Sequence, residues 1–212
     1  MSKYITEFIG TFFLVLSITL SVITGQDLAA IAIGGTLMVM IFMGGHISGA
    51  HYNPAVSLAA MMRGALPSAE LIPYWIAQVA GAIVAALLGN FIAGGSVAIA
   101  PGENVSVISA LLVEILYTFA LALVVLNVAT AKGTANNSFY GLAIGFTVVA
   151  AAIAGGSISG GAFNPAVGIG LSVGAMLAGT GGSSIWIYIV GPLIGGALAA
   201  LVFNMQGNED IK

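Results

Sequence analysis

ISGAHYNPAV, residues 47–56, returns as ISGGAFNPAV at residues 158–167. Seven of the ten positions are identical, and Asn53 and Asn164 stand 111 residues apart, about half of the 212-residue chain. The same shift carries Trp75 onto Trp186, and a shift of 107 carries Glu7 onto Glu114. One unit used twice is therefore expected, with repeat one over about 1–95 and repeat two over about 105–206 of a single domain. In each copy a Gly/Ser-rich stretch leads into Asn-Pro, a preferred N-cap followed by the residue preferred at the first helical position. Helices are thus predicted to start at Asn53 and Asn164. The apolar runs that follow, 53–63 and 164–177, are too short to cross a bilayer.

The rest of the chain says what surrounds these two short helices. It is 59% apolar and 5% charged, with a mean hydropathy of +1.12, whereas a soluble domain carries about 25% charged residues. Six long apolar segments run over about 4–24, 29–46, 68–92, 107–129, 139–156 and 184–205. Most reach the ~20 residues a spanning helix needs, and the second and fifth are short as drawn. Thirty glycines suit close helix contact in lipid. Three spans and one short helix, repeated, invert the second copy in the membrane. The expected fold is an all-α membrane protein of six transmembrane helices plus two re-entrant half-helices in an inverted repeat. The apolar N-terminus lacks a basic leader and cleavage site, so it is expected to be a retained first span.

Orientation rests on Lys3, Arg63, Lys132 and Lys212, the only Lys and Arg in the chain. The span order puts all four on one face, and Asp27 and Glu103 on the other. The positive-inside rule makes the first face, with both termini, cytoplasmic, and a plasma or inner membrane is expected. No cysteine excludes disulfides, thiolate metal sites and a cysteine nucleophile. There is no basic patch for nucleic acid, no nucleophile–base set and no phosphate loop, so neither an enzyme nor a cofactor is expected.

Backbone outside a helix survives at membrane depth only where protein buries it or it lines a watery cavity. Gly49–Tyr52 and Gly160–Phe163 are therefore expected to line a cavity. The half-helices bring two positive N-termini together near the midplane, each with free N–H groups. The Asn side chains accept backbone N–H and offer amide hydrogens to the lumen. Such a site passes neutral molecules and rejects protons and cations. The plainer alternative is that Asn-Pro only caps two buried helices. Two rival functions stay open, a secondary transporter and a non-conducting structural protein. Saturable, pH-gradient-driven uptake lost in Glu7→Gln marks the first, and short tails and loops leave the second little surface for partners.

The paired NPA motifs, HISGAH at 46–51, the membrane glutamates and the repeat layout resemble the aquaporin (major intrinsic protein) family. The resemblance covers essentially the whole chain. It implies a right-handed six-helix bundle, a homotetramer with one pore per subunit, a lipid bilayer around it and small neutral permeants. It implies pore motifs at Asn53, Pro54, Ala55, Asn164, Pro165 and Ala166. A carbonyl ladder is implied at Gly49, Ala50, His51, Gly160, Gly161 and Ala162. Glu7 and Glu114 match the family's buried carboxylates that brace the re-entrant loops. His46 and His51, five apart across a glycine turn, are poor metal-ligand geometry, so loop packing and no metal are expected. Trp75 and Trp186 read as interfacial anchors.

One departure matters. Family members typically read NPAR at the second motif, and here Val167 replaces the arginine. Counting by the family spacing puts Ile33, Ala152 and Gly161 beside Val167 in the selectivity filter. That ring has no charge and no aromatic. Gly168 also stands where glycerol facilitators carry Asp. The expected permeants are water and small uncharged solutes such as ammonia, urea, hydrogen peroxide, carbon dioxide or short polyols.

Overall fold

The computed structural model describes residues 1–181 and 184–207; Lys212, one of the four orientation charges, lies outside the described residues. Its regular elements are helices: α1 Ser2–Ile23, α2 Ala29–Ser48, α3 Pro54–Arg63, α4 Ser68–Ala93, α5 Val107–Val125, α6 Tyr140–Ser159, α7 Pro165–Leu177 and α8 Ile185–Met205. A π-helical turn, Leu126–Thr130, prolongs α5 to 24 residues. Among the described residues, six helices are long and apolar enough to cross a membrane. Helices are the expected answer, since lipid supplies no partners for backbone groups and each segment must satisfy its own. The second and fifth spans, short as read from the sequence, reach 20 residues each. They do so because helix continues through Ser48 and Ser159 to the left-handed glycines Gly49 and Gly160, φ 85° and 96°.

The polarity of this molecule is inside out compared with a soluble protein. Phe91, Ile76 and Leu116 are exposed, while Glu7, Glu114, Gln78 and Thr11 are fully buried. An apolar exterior fits hydrocarbon, and buried polar groups must find partners within the bundle.

The two halves build alike. α1 packs on α2 and α4, α5 packs on α6 and α8, and α2 meets α6 across the middle. At that crossing, a Cβ on Gly34 would lie 2.5 Å from the Gly145 carbonyl, and one on Gly145 would lie 2.5 Å from the Gly34 carbonyl. Likewise a Cβ on Gly81 would sit 2.4 Å from Phe8 O, and one on Gly195 would sit 2.4 Å from Ile115 O. Only hydrogen at these positions allows the backbones so close, the packing mode lipid favours. The short helices cross over: α3 packs chiefly against α8, and α7 chiefly against α4.

The repeat is not one uniform shift. Glu7 and Glu114 are 107 apart, the Asn-Pro turns 111, and Gly81 and Gly195 114. Part of the drift is visible in α7, which has 13 residues to α3's 10. Lys3 Nζ lies 2.6 Å from Glu70, which brings the starts of α1 and α4 together. The Arg63 guanidinium lies 4.6 Å from the Phe203 ring centre, which brings together the ends of α3 and α8.

Candidate pore

Each Asn-Pro turn works as a cap first. Asn53 Oδ1 accepts the Ala55 N–H and Asn164 Oδ1 accepts the Ala166 N–H, both at 2.9 Å. Their amide nitrogens then reach across the molecule. Asn53 Nδ2 donates to Phe163 O at 2.9 Å, and Asn164 Nδ2 donates to Tyr52 O at 2.8 Å. An amide nitrogen carries two hydrogens, so each keeps a second hydrogen for the cavity that both asparagines line.

The loops ahead of these caps hold strained backbone. Ala50, Tyr52 and Phe163 have positive φ, 51°, 49° and 49°, a region costing a non-glycine residue about 1–2 kcal/mol. Buried carboxylates offset that cost. Glu7 Oε1 accepts Ser48 Oγ–H at 2.6 Å and His51 N–H at 2.9 Å, and Oε2 accepts Tyr52 N–H at 2.7 Å and Gln78 Nε2–H at 2.8 Å. Glu114 Oε1 accepts Ser159 Oγ–H at 2.7 Å and Ala162 N–H at 3.0 Å, and Oε2 accepts Phe163 N–H at 2.7 Å. Two phenols complete the frame: Tyr74 donates to Ser48 O at 2.8 Å and Tyr188 to Ser159 O at 2.6 Å.

Two cavities open on this frame. One, about 510 Å³, holds Asn53, Asn164, Ala50, His51, Gly160, Gly161 and Ala162 in its wall, together with Ile33, Ala152 and Val167. The other, about 590 Å³, is lined by Gly49, Ala50, His51, His46, Asn136 and Asn137 among others. Asp27 is the only Asp, Glu, Lys or Arg on either wall among the described residues. The two asparagine amides thus sit in a largely apolar wall.

The chain matches the Major intrinsic protein family over residues 1–203. It belongs to that family. It is 38% identical to glycerol uptake facilitator protein-like 6 of Lactiplantibacillus plantarum, over 99% of this chain and 100% of that one. It is 33% identical to aquaporin Z of Brucella melitensis, over 96% and 97% of the two chains. The X-ray structure of the aquaglyceroporin from Plasmodium falciparum shares the fold, with a TM-score of 0.84 at 22% identity and coverage of 96% and 95%. A member of this family with six apolar spanning helices is an integral membrane protein.

Asn53, Asn164, Ala50, His51, Gly160, Gly161 and Ala162 line one cavity, and Gly49 lines the other. The four filter candidates share one wall, and Pro54, Ala55, Pro165 and Ala166 open the two short helices. No group of three or more His, Cys, Asp or Glu that would hold a metal occurs among the described residues. His46 and His51 instead line a cavity, and His51 Nδ1 lies 3.1 Å from Ser57 Oγ.

One expectation needs correcting. Trp75 and Trp186 are not counterparts, because Tyr74 and Tyr188 do the same job at a spacing of 114. Trp186 stands near the start of α8 and is exposed. Trp75 lies a full two turns into α4, where its indole donates to Pro54 O at 3.0 Å. That bond ties α4 to the first residue of α3. Sequence reading also missed Ser57, Gln78 and the two tyrosines. The tyrosine pair was findable, as both precede a Gly at fixed distance: Tyr74 with Gly81, and Tyr188 with Gly195.

Proposed function

We propose that this chain is a passive channel for water and small uncharged solutes, with Ile33, Ala152, Gly161 and Val167 forming a wide, apolar outer constriction. The observation that carries this reading is the reciprocal pairing of Asn53 and Asn164 at a cavity whose wall also holds those four residues. Family relatives named as aquaporins and a glycerol uptake facilitator support it. Two helix N-termini point at the middle of the passage, so a cation meets positive ends and a water must aim its oxygen at the amides. Gly49, Ala50, His51, Gly160, Gly161 and Ala162 supply carbonyls along the way, and Glu7 and Glu114 brace the loops that carry them. Two repeats, about 1–95 and 105–206, a homotetramer with one pore per subunit, and cytoplasmic termini belong to the same reading.

Stopped-flow light scattering on proteoliposomes tests it. Wild type is expected to pass water together with urea, ammonia or glycerol, and Val167→Arg to cut solute flux while water continues. A wild type that carries water alone, and a variant that changes nothing, would put the constriction elsewhere.

A further inference from the structure

At the end of the molecule where α1 and α4 finish, the 510 Å³ cavity is walled by the α1–α2 turn and by the segment that follows α4. That segment is pinned on both sides. Gly102 N–H donates to Ile158 O at 3.0 Å, and Ser96 Oγ lies 2.7 Å from Thr180 Oγ1. A Cβ on Gly160 would come within 2.9 Å of Ala100 O, so the wall stands tight against the end of α6. Val22, Ile33, Val97, Ile99 and Ile153 share this cup with one carboxylate, Asp27.

Asp27 is exposed, and among the described residues it has no hydrogen-bonding or ion-pair partner. It precedes α2, whose N-terminus carries about half a positive charge, so the rim keeps a net negative charge. Nothing else on the wall offsets it. Val167 stands in the arginine position, and no Lys or Arg lines either cavity among the described residues. The second repeat has no equivalent. Ala29 and Tyr140 open α2 and α6 at a spacing of 111, and that spacing puts Ser138 in the place of Asp27. The charge is therefore not part of the frame that both halves need.

A carboxylate on an apolar cup is complementary to an ammonium head on a hydrocarbon body. A small hydrated cation gains from the charge and nothing from the walls, and a neutral solute gains from the walls alone. Further travel is closed to the charged head. Ile33, Ala152 and Val167 offer it no partner in exchange for water, and two positive helix ends lie beyond. An occupant of this kind stays and obstructs.

Resting on the channel reading above, we propose that this cup is a binding site for a short primary alkylammonium ion, which blocks the channel from the Asp27 end. Asp27 accepts the ammonium hydrogens, and the hydrocarbon chain lies toward Ile33. Ile33 stands one turn into α2, roughly 6 Å from its start, so a chain of a few carbons reaches it.

The test measures osmotic water flux of proteoliposomes bearing the full-length chain, with sodium, methylammonium or butylammonium chloride at equal concentration on both sides. Each flux is referred to that of the same protein in sodium. Butylammonium is expected to block wild type at millimolar concentration. Methylammonium is expected to need about tenfold more, since each buried methylene strengthens binding by up to about fourfold. Asp27→Asn is expected to raise the half-blocking concentration of butylammonium about fivefold, the contribution of a unit charge at about 4 Å in water. Glu103, the other acid expected on this face, lines neither cavity, and Glu103→Gln is expected to be blocked like wild type. Equal block of Asp27→Asn and wild type, equal shifts in the two variants, or equal potency of the two ammonium ions overturns the site alone. Wild type whose flux is the same in all three salts does so too. No channel-borne water flux in sodium overturns the channel reading itself.

Discussion

Glu7 shows how a single residue supports a strained loop. Four donors converge on its two oxygens, and three converge on those of Glu114. Hydrogen bonds to charged groups contribute about 1.5–3 kcal/mol each, and replacing one oxygen by NH₂ turns an acceptor toward donors. Glu7→Gln and Glu114→Gln are each expected to lower the thermal midpoint of the purified protein and its water permeability. Unchanged melting and flux in both would remove the bracing role. A carboxylate in a span is conspicuous because burying a charge is costly, and that is why both were legible in the sequence. Ser57 and Gln78 were not. A serine or glutamine in an apolar helix carries no pattern, and its partners depend on helix rotation that spacing alone does not fix.

At the scale of elements, hydropathy and Asn-Pro caps located all eight helices to within a few residues, because a bilayer leaves the backbone no other option. What spacing did not reveal was the contact between them. Gly34 and Gly35 are neighbours in one helix with opposite surroundings. A Cβ on Gly34 would meet the Gly145 carbonyl at 2.5 Å, and one on Gly35 would meet nothing within 4 Å. Gly34→Ala is expected to force α2 from α6 and reduce the yield of monodisperse protein. Gly35→Ala is expected to be neutral or to stabilise by up to about 1 kcal/mol, the difference in helix propensity. Equal melting temperatures for the two variants would mean that the crossing is looser than its geometry. The false Trp75–Trp186 pairing belongs here too. The repeat drifts from 111 to 114 residues after the turns, and a pairing made at the earlier shift misses its counterpart by three positions, most of a helical turn.

For the molecule as a whole, the absence of cysteine makes topology simple to measure, since any introduced thiol is the only one. Lys132→Cys in intact cells is expected to resist a membrane-impermeant maleimide, and Glu103→Cys to react with it. The reverse pattern would invert the positive-inside assignment. Apolar exterior and polar interior were readable from composition, but the way the halves hold each other was not. Asn53 caps its own helix and satisfies a carbonyl of the other half, and Asn164 returns the favour. α3 leans on α8, and α7 on α4. A ribosome makes the first half without any of these partners. The first loop therefore emerges into the membrane with the Tyr52 carbonyl and the Asn53 amide still unanswered, and α3 without its main bearing surface. Closing the centre is a late act of biogenesis, performed once by the whole chain, after its last helix has arrived.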